Sequence, residues 1–278
     1  MVAMLRPGSW VSRRDADTLQ VGLDRRVVLA DTPETRAVLA RLEAGMPSAD
    51  LAAAGVTASL AERDLLVDDA DARRGPGALL AAHGPDATRR LRARQASSVT
   101  VRALDAGVDA AAAFAMQALA EAGVAAVTTS PGTSATVALV LASGEPDRDL
   151  LDDAMAVGQP HVLVSAGEGA VRLGPFVVPG STACQRCLDA ELAVADHRRG
   201  VVLAQVAGRP GPVDAATTYA AVGLAVRDVL AYLDGDRPMT WSATLTLVAL
   251  PGEEGLVPRR WRRHPHCGCC WDELMDLD

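Results

Sequence analysis

The chain has 278 residues, 49% hydrophobic and 22% charged, with a formal net charge of −8. That balance excludes a mainly disordered polypeptide, and the acidic sum disfavours a protein whose main work is gripping nucleic-acid phosphates. Aromatics are only 3%, so the cores must be built from Ala, Val and Leu, and a chain of this length suggests about two domains. In chain order, residues 10–12 read as a short strand. Residues 19–23 and 26–29 read as two strands joined by a tight turn at Asp24-Arg25. Thr32 is a good N-cap, Pro33 suits the first helical position and Glu34 the positive end of the helix dipole. The helix they open carries Val38, Leu39 and Leu42 on one face and ends at Gly45. Two more short helices fit 48–54, stopped by Gly55, and 59–66. Strands followed by three short helices describe a winged-helix-like domain over 1–72.

Residues 73–95 read as a linker, in which Arg89, Arg90, Arg92 and Arg94 form a solvated helix face. From 96 to 278 the pattern is that of a Rossmann-like α/β domain. Strands fit 99–104, 124–128, 137–141, 161–165 and 176–178; helices fit 109–121 and 149–156. Strands separated by helices indicate a parallel sheet with crossover connections. Residues 214–233 are the clearest helix, with Tyr219, Val222, Val226, Val229, Leu230 and Leu233 at helical spacing, and 241–250 alternates as a strand would. No apolar run reaches the roughly 18 residues of a membrane span, and the first ten residues lack the apolar core of a signal peptide. The reading therefore places the chain in the cytoplasm, away from membranes.

Five cysteines are present, all after residue 183. Cys184-Gln185-Arg186-Cys187 is one CxxC, and Cys267-Gly268-Cys269-Cys270 follows 80 positions later. Two residues between cysteines allow both sulfurs to point one way, and Gly268 gives the second pair backbone freedom. Two such pairs fit a tetrahedral zinc site with soft ligands. A redox CxxC opens a helix and needs no second cluster. The expected ligands are Cys184, Cys187, Cys267 and Cys269, with Cys270 the rival for the last place and His264 or His266 as possible substitutes. Four protein ligands leave no open position, so the metal should be structural. Arg259, Arg260, Arg262 and Arg263 flank Trp261 just before this cluster, either as a basic patch for an acidic partner or as a solvated strand packing Trp261 inward.

The turn after the first strand of the α/β domain reads Leu104-Asp105-Ala106-Gly107-Val108-Asp109. A nucleotide fold needs a glycine-rich turn there, so that backbone amides approach a phosphate at the helix N-terminus. Only Gly107 remains, Asp105 and Asp109 add negative charge, and Thr128-Thr129-Ser130 stands where an acidic ribose ligand is expected. The scaffold reads as one that has lost its nucleotide. No catalytic residue stands out: there is no Gly-x-Ser-x-Gly elbow, and His161 reads as a satisfied core histidine.

At these residues the chain resembles a known group. The run Pro160-His161-Val162-Leu163, Gly167-Glu168-Gly169, Gly174-Pro175-Phe176-Val177-Val178-Pro179-Gly180 and Cys184-x-x-Cys187-Leu188-Asp189 resembles the ThiF/E1-like proteins of azole-forming peptide clusters. So does Trp261-x-x-His264-Pro265-x-Cys267-Gly268-Cys269. These are the thiazole/oxazole-modified-peptide (TOMM) leader-binding cyclodehydratase "C" proteins. Leu5-Arg6-Pro7-Gly8 and Leu19-Gln20-Val21-Gly22-Leu23 resemble their recognition element. The resemblance implies a winged-helix peptide clamp joined to a degenerate E1-like domain with a structural zinc. It implies binding of the leader of a ribosomally made precursor peptide, presented to a YcaO-type cyclodehydratase that forms azolines. By analogy it implies a homodimer. Such clamps work by strand addition; here the edge is Arg26, Val27, Val28 and Leu29, with Leu60, Arg63 and Asp64 of the 59–66 helix at the groove. Two other functions compete. An E1-like ATP-dependent adenylating enzyme is disfavoured by the glycine-poor turn. A winged-helix regulator is disfavoured because residues 1–72 hold eight arginines, no lysine and twelve carboxylates, a net charge of −4 that repels duplex phosphates.

Overall fold

The computed structural model describes residues 2–47, 55–68, 77–130, 135–248 and 258–269. The helix expected at 48–54, the linker residues 73–76 and Cys270 lie outside the described residues. The chain divides into two compact units, Met1–Arg92 and Ala93–Asp278.

The first unit holds two small antiparallel sheets. In one, β1 (Val2–Leu5) lies between β5 (Met46–Pro47) and β6 (Leu66–Asp68); in the other, β2 (Val11–Arg13), β3 (Thr18–Val21) and β4 (Val27–Ala30) follow in chain order. The turn at 24–25 emerges as expected, with Val21 opposite Val27. Thr32 caps α1 (Pro33–Ala44), its side chain accepting from the Thr35 N–H at 3.1 Å. Leu39 and Leu42 of α1 meet Leu19, Val21 and Val27 of the hairpin, Leu5 of β1 and Leu60 of α2 (Gly55–Ala61) in one core.

The helix expected at 59–66 is a correction. Observed α2 stops at Ala61, because Asp64 adopts a left-handed backbone (φ 55°) that lets the Leu65 N–H return to the Leu60 carbonyl at 2.9 Å. An Asp tolerates that conformation better than most side chains, so the stop carries no glycine or proline signal. Leu66 then joins β6 and pairs with Leu5. The stretch expected as a linker is also more ordered than its charge suggests. It forms α3 (Gly77–His83) and α4 (Ala87–Gln95), whose Leu79, Leu80, Ala87 and Leu91 bury against Val67.

The second unit is built on a seven-stranded sheet ordered β13-β12-β11-β10-β9-β7-β8. Strands β7 (Ser98–Ala103), β8 (Ala126–Thr128), β9 (Val137–Ala142) and β10 (His161–Gly167) are parallel. The wholly parallel expectation is corrected beyond β10. There β11 (Ala170–Val177), β12 (Ala243–Val248) and β13 (Arg259–Arg260) continue the sheet antiparallel, because Glu168 (φ 54°) and Gly169 (φ 77°) fold β10 directly back on β11. The strand expected at 241–250 is therefore β12, and the one at 176–178 is the end of the longer β11.

Alternation decides the two faces of the sheet. Val99, Val101, Leu139, Leu141, Val162 and Val164 face α5 (Asp109–Glu121) and α9 (Ala215–Leu233); Val140 and Leu163 face Leu151 of α6 (Arg148–Ala156). The helices pack through small residues, Ala111 and Ala115 with Ala221 and Ala225, which is how a core with few aromatics still closes. Helices α7 (Gln185–Ala195) and α8 (Arg199–Val206) complete the unit. Arg94, expected on a solvated face, is only 4% exposed and forms a two-pronged pair with Asp234 at 2.8 and 2.6 Å, with a third bond to the Ala122 carbonyl at 3.0 Å. That fork geometry is what a buried guanidinium needs. His161 is buried at the start of β10, and its Nδ1 lies 2.8 Å from the Gln159 carbonyl.

Candidate functional site

The first CxxC opens α7. Cys184 is its extended N-cap (φ −91°, ψ 176°), and Cys187 is the third helical residue, its N–H donating to the Cys184 carbonyl at 3.0 Å. That single turn brings the two buried sulfurs to 3.7 Å. Helix opening, expected of redox pairs, is thus present here together with the second cluster. The second pair is delivered by the strand end: β13 pairs with β12, the Trp261 N–H donates to the Ser242 carbonyl at 2.8 Å, and the Trp261 indole donates to Thr244 Oγ1 at 2.9 Å. Ser242 Oγ in turn accepts from the Ala183 N–H at 3.0 Å, so one residue ties β12 to the residue before the CxxC. A single helical turn (Pro265–Cys267) and Gly268 (φ 83°) then aim Cys267 and Cys269 inward.

Cys187 Sγ lies 3.1 Å from Cys267 Sγ and 3.3 Å from Cys269 Sγ, and Cys267 and Cys269 are 2.7 Å apart. The four ligand atoms all lie within 4.8 Å of one another. No pair is a disulfide. A tetrahedron with metal–sulfur bonds of about 2.3 Å has edges of about 3.8 Å, so the donor set and its convergence suit a four-coordinate soft cation. Two backbone N–H groups point at the sulfurs, His264 to Cys187 at 3.2 Å and Cys269 to Cys267 at 3.3 Å. Hydrogen bonds from Cys184 and from that His264 amide push the Cys187 thiol below its ordinary range, against its burial. These four cysteines can hold a metal ion. The side chains Val177, Ala183, Leu188 and Trp261 wall the cluster. Trp261 does pack inward, with the Arg259 guanidinium 4.0 Å from its ring centre, while Arg259, Arg260 and Arg262 are exposed.

The crevice at the carboxyl ends of β7 and β9 is where a doubly wound sheet holds a nucleotide. Here it is bridged from within. Asp105 Oδ1 accepts from the Gly107 N–H at 2.9 Å, and Oδ2 accepts from the Ser143 N–H at 2.9 Å. A carboxylate therefore takes the amide donors that would face a phosphate. The segment after α8 lies over the same loop: the Gly211 N–H donates to the Ser143 carbonyl at 3.0 Å, and a Cβ on Gly144 would stand 2.2 Å from the Arg209 carbonyl oxygen. The charge of Asp105 was visible in the sequence; its reach across to Ser143 was not, since 38 residues separate them.

The residues expected at a peptide groove lie in the first unit and are placed unequally. Among the described residues β4 pairs with β3 alone, so its outer edge carries no strand partner. Val27 faces the core, Val28 is 42% exposed, Leu29 is half-buried and Arg26 is exposed. Leu60 is fully buried in the core and so is absent from any groove surface. Arg63 and Asp64 are exposed in the turn after α2. Trp10, read from the sequence as strand, and Leu23, read as part of the recognition-element motif, are 79% and 81% exposed where the Gly22 N–H meets the Trp10 carbonyl at 3.0 Å. An unburied Trp beside an unburied Leu is a signal only the fold provides.

Among the described residues no helix is long and apolar enough to cross a membrane. No protein-family model and no curated protein sequence matches the chain. Solved structures do. A heterocyclase in complex with substrate and cofactor superposes with a TM-score of 0.71 at 17% identity over 97% of this chain and 39% of that one. The heterocyclase TruD gives 0.68 at 18% identity, over 97% and 42%. E. coli MccB, in a crystal with MccA, gives 0.64 at 13% identity, over 97% and 100%. The chain thus spans about two fifths of the heterocyclase chains and the whole of MccB. It has the fold that these heterocyclase and MccB chains share, in agreement with the ThiF/E1-like group that its own Gly-Pro and cysteine motifs resemble.

Proposed function

We propose that the chain is a non-catalytic scaffold that binds the leader of a ribosomally made precursor peptide and presents it to a YcaO-type cyclodehydratase for azoline formation. The observation that carries this reading is β4, a strand whose outer edge has no strand partner among the described residues and whose Val28 is exposed, beside which α2 packs. An extended peptide gains main-chain hydrogen bonds from such an edge and side-chain specificity from the neighbouring helix. In this reading the first unit is a winged-helix-like clamp, Arg26, Val28 and Leu29 meet the peptide, Arg63 and Asp64 flank it, and the protein works in the cytoplasm. Leu60 supports the groove from below. The zinc of this reading sits on Cys184, Cys187, Cys267 and Cys269; it supplies cross-linking, since four sulfur ligands leave no coordination position for a substrate. The Asp105 bridge supports a scaffold over an ATP-using enzyme, because a bound phosphate would have to displace or repel that carboxylate.

The test uses labelled peptides tiled across the short reading frames that flank the gene, titrated against the full chain. One peptide should bind, and Val28→Pro should abolish that binding with the thermal midpoint within a few degrees of the parent, because proline removes the N–H at the edge. Tight ATP binding by calorimetry, or peptide binding indifferent to Val28→Pro, sinks the reading.

A further inference from the structure

A cleft of about 540 Å³ lies between α8 and the antiparallel end of the large sheet. Its floor is a row across three adjacent strands: Ser165 stands opposite Arg172, and Arg172 opposite Thr246. Its roof is one face of α8, where Arg199, Val202, Leu203 and Val206 recur at helical spacing. An apolar face at that spacing ordinarily packs on a sheet. Here no α8 residue is buried, and Val202 and Val206 remain 51% and 37% exposed.

The polar groups are equally incomplete. Glu145 is already committed, to Arg172 at 3.1 Å and to Arg148 at 2.9 Å. The Nε–H groups of Arg172 and Arg199 are buried with no acceptor among the described residues. Arg209 also lines the cleft, as does Glu168 on the β10–β11 turn. Three guanidiniums against two carboxylates leave one positive charge. A phosphate group brings about −1.5 to −2 at neutral pH and would overshoot that balance, facing Glu145 and Glu168. One carboxylate matches it.

We propose that this cleft binds a short acidic peptide segment, a carboxylate side chain with an apolar residue next to it. The carboxylate accepts from Arg199 and Arg172, and the apolar neighbour covers Val202 and Val206. This goes beyond the leader-binding reading and does not rest on it, since every residue involved belongs to the second unit.

The test is fluorescence anisotropy on the full chain with a labelled, N-acetylated tetrapeptide of alternating leucine and glutamate. The expected result is saturable binding, weakened about tenfold or more when glutamine replaces glutamate, as loss of a charge-assisted hydrogen bond implies. Arg199→Gln should weaken it as much, with the thermal midpoint preserved. Should that variant misfold, the exposed Arg209→Gln serves in its place, with the same expected direction. Val28→Pro should leave this binding untouched, which separates the cleft from the β4 edge. Absence of saturable binding, equal affinity for the glutamine peptide, unchanged affinity in the folded arginine variant, or displacement by an equal concentration of inorganic phosphate overturns the proposal.

Discussion

At the β7–β9 side of the large sheet the chain answers its own backbone donors: Asp105 takes the N–H groups of Gly107 and Ser143, both at 2.9 Å. At the other side, below β12 and β13, four sulfurs converge to separations as short as 2.7 Å with two amides pointing at them. In the first region these backbone donors are satisfied within the chain. The second gathers four sulfur donors that can hold a cation, since packed thiolates repel each other and packed thiols gain little. The comparison shows one sheet closing one region with its own hydrogen bonds while converging four sulfur donors in another. A single carboxylate accepts from two backbone amides within the chain; four cysteines from segments 80 residues apart converge so that they can hold a metal ion.

The largest effect that would sharpen this contrast is at Cys187, the sulfur that neighbours the other three. Cys187→Ser should abolish a metal content of one ion per chain, read by elemental analysis, and lower unfolding stability in denaturant by about 4 to 5 kcal/mol. That figure is the closure entropy of a loop of about 80 residues. Unchanged stability after metal loss would break the claim that the cation holds the C-terminal segment.

Next in size is the buried Arg94–Asp234 pair. Arg94→Met leaves the Asp234 carboxylate buried and short of its main cation, and should cost about 3 kcal/mol in denaturant unfolding. The double variant Arg94→Met, Asp234→Leu should recover much of that loss, because no charge is then left behind.

The crevice comes third. Asp105→Ala uncovers the Gly107 and Ser143 amides and should cost about 1 to 3 kcal/mol. Added phosphate or ATP should then raise the thermal midpoint of the variant and not of the parent chain. An identical response in both would mean that the carboxylate does not stand in for an anion.

The smallest effect is a pH dependence. Burial holds His161 below its ordinary value, with the Gln159 carbonyl pulling weakly the other way. The unfolded chain therefore binds a proton that the folded chain refuses. Stability should be full above about pH 6.5 and fall as pH drops through that value, with a slope of up to about 1.4 kcal/mol per pH unit. Unfolding midpoints between pH 5 and 8 check it, and His161→Gln should flatten the profile.

Much of this was legible in the residues themselves. The stripe Val222, Val226, Val229 and Leu233 marks α9 because helical burial repeats every three to four residues. Thr32-Pro33-Glu34 marks the start of α1 for reasons contained in one turn of chain. The two cysteine clusters proclaim convergence by their chemistry. Less legible was β11. Its alternation is broken at Gly174-Pro175, and its partnership with β10 depends on a two-residue turn whose first member, Glu168, is not a typical left-handed residue. Arg94 was hidden by its neighbours Arg89, Arg90 and Arg92, which make any one arginine in the run look solvated. Leu60 reads the same whether it lines a groove or fills a core, and its burial depends on Leu39 and Leu42 across the unit.

The amino-acid order by itself marked α1, α5, α9 and the parallel strands of the large sheet, the glycine-poor phosphate turn, and two cysteine clusters suited to one metal site. Those are properties of residue type and short spacing, and neighbours along the chain enforce them. Only the folded arrangement decided that the sheet turns antiparallel at Glu168-Gly169, that Asp105 spans to Ser143, that Arg94 finds Asp234, and that α8 stands off the sheet over two Nε–H groups with no acceptor among the described residues. Each of those joins groups whose separation in sequence carries no periodic trace, so strand order and register had to bring them within bonding distance before their charges could matter.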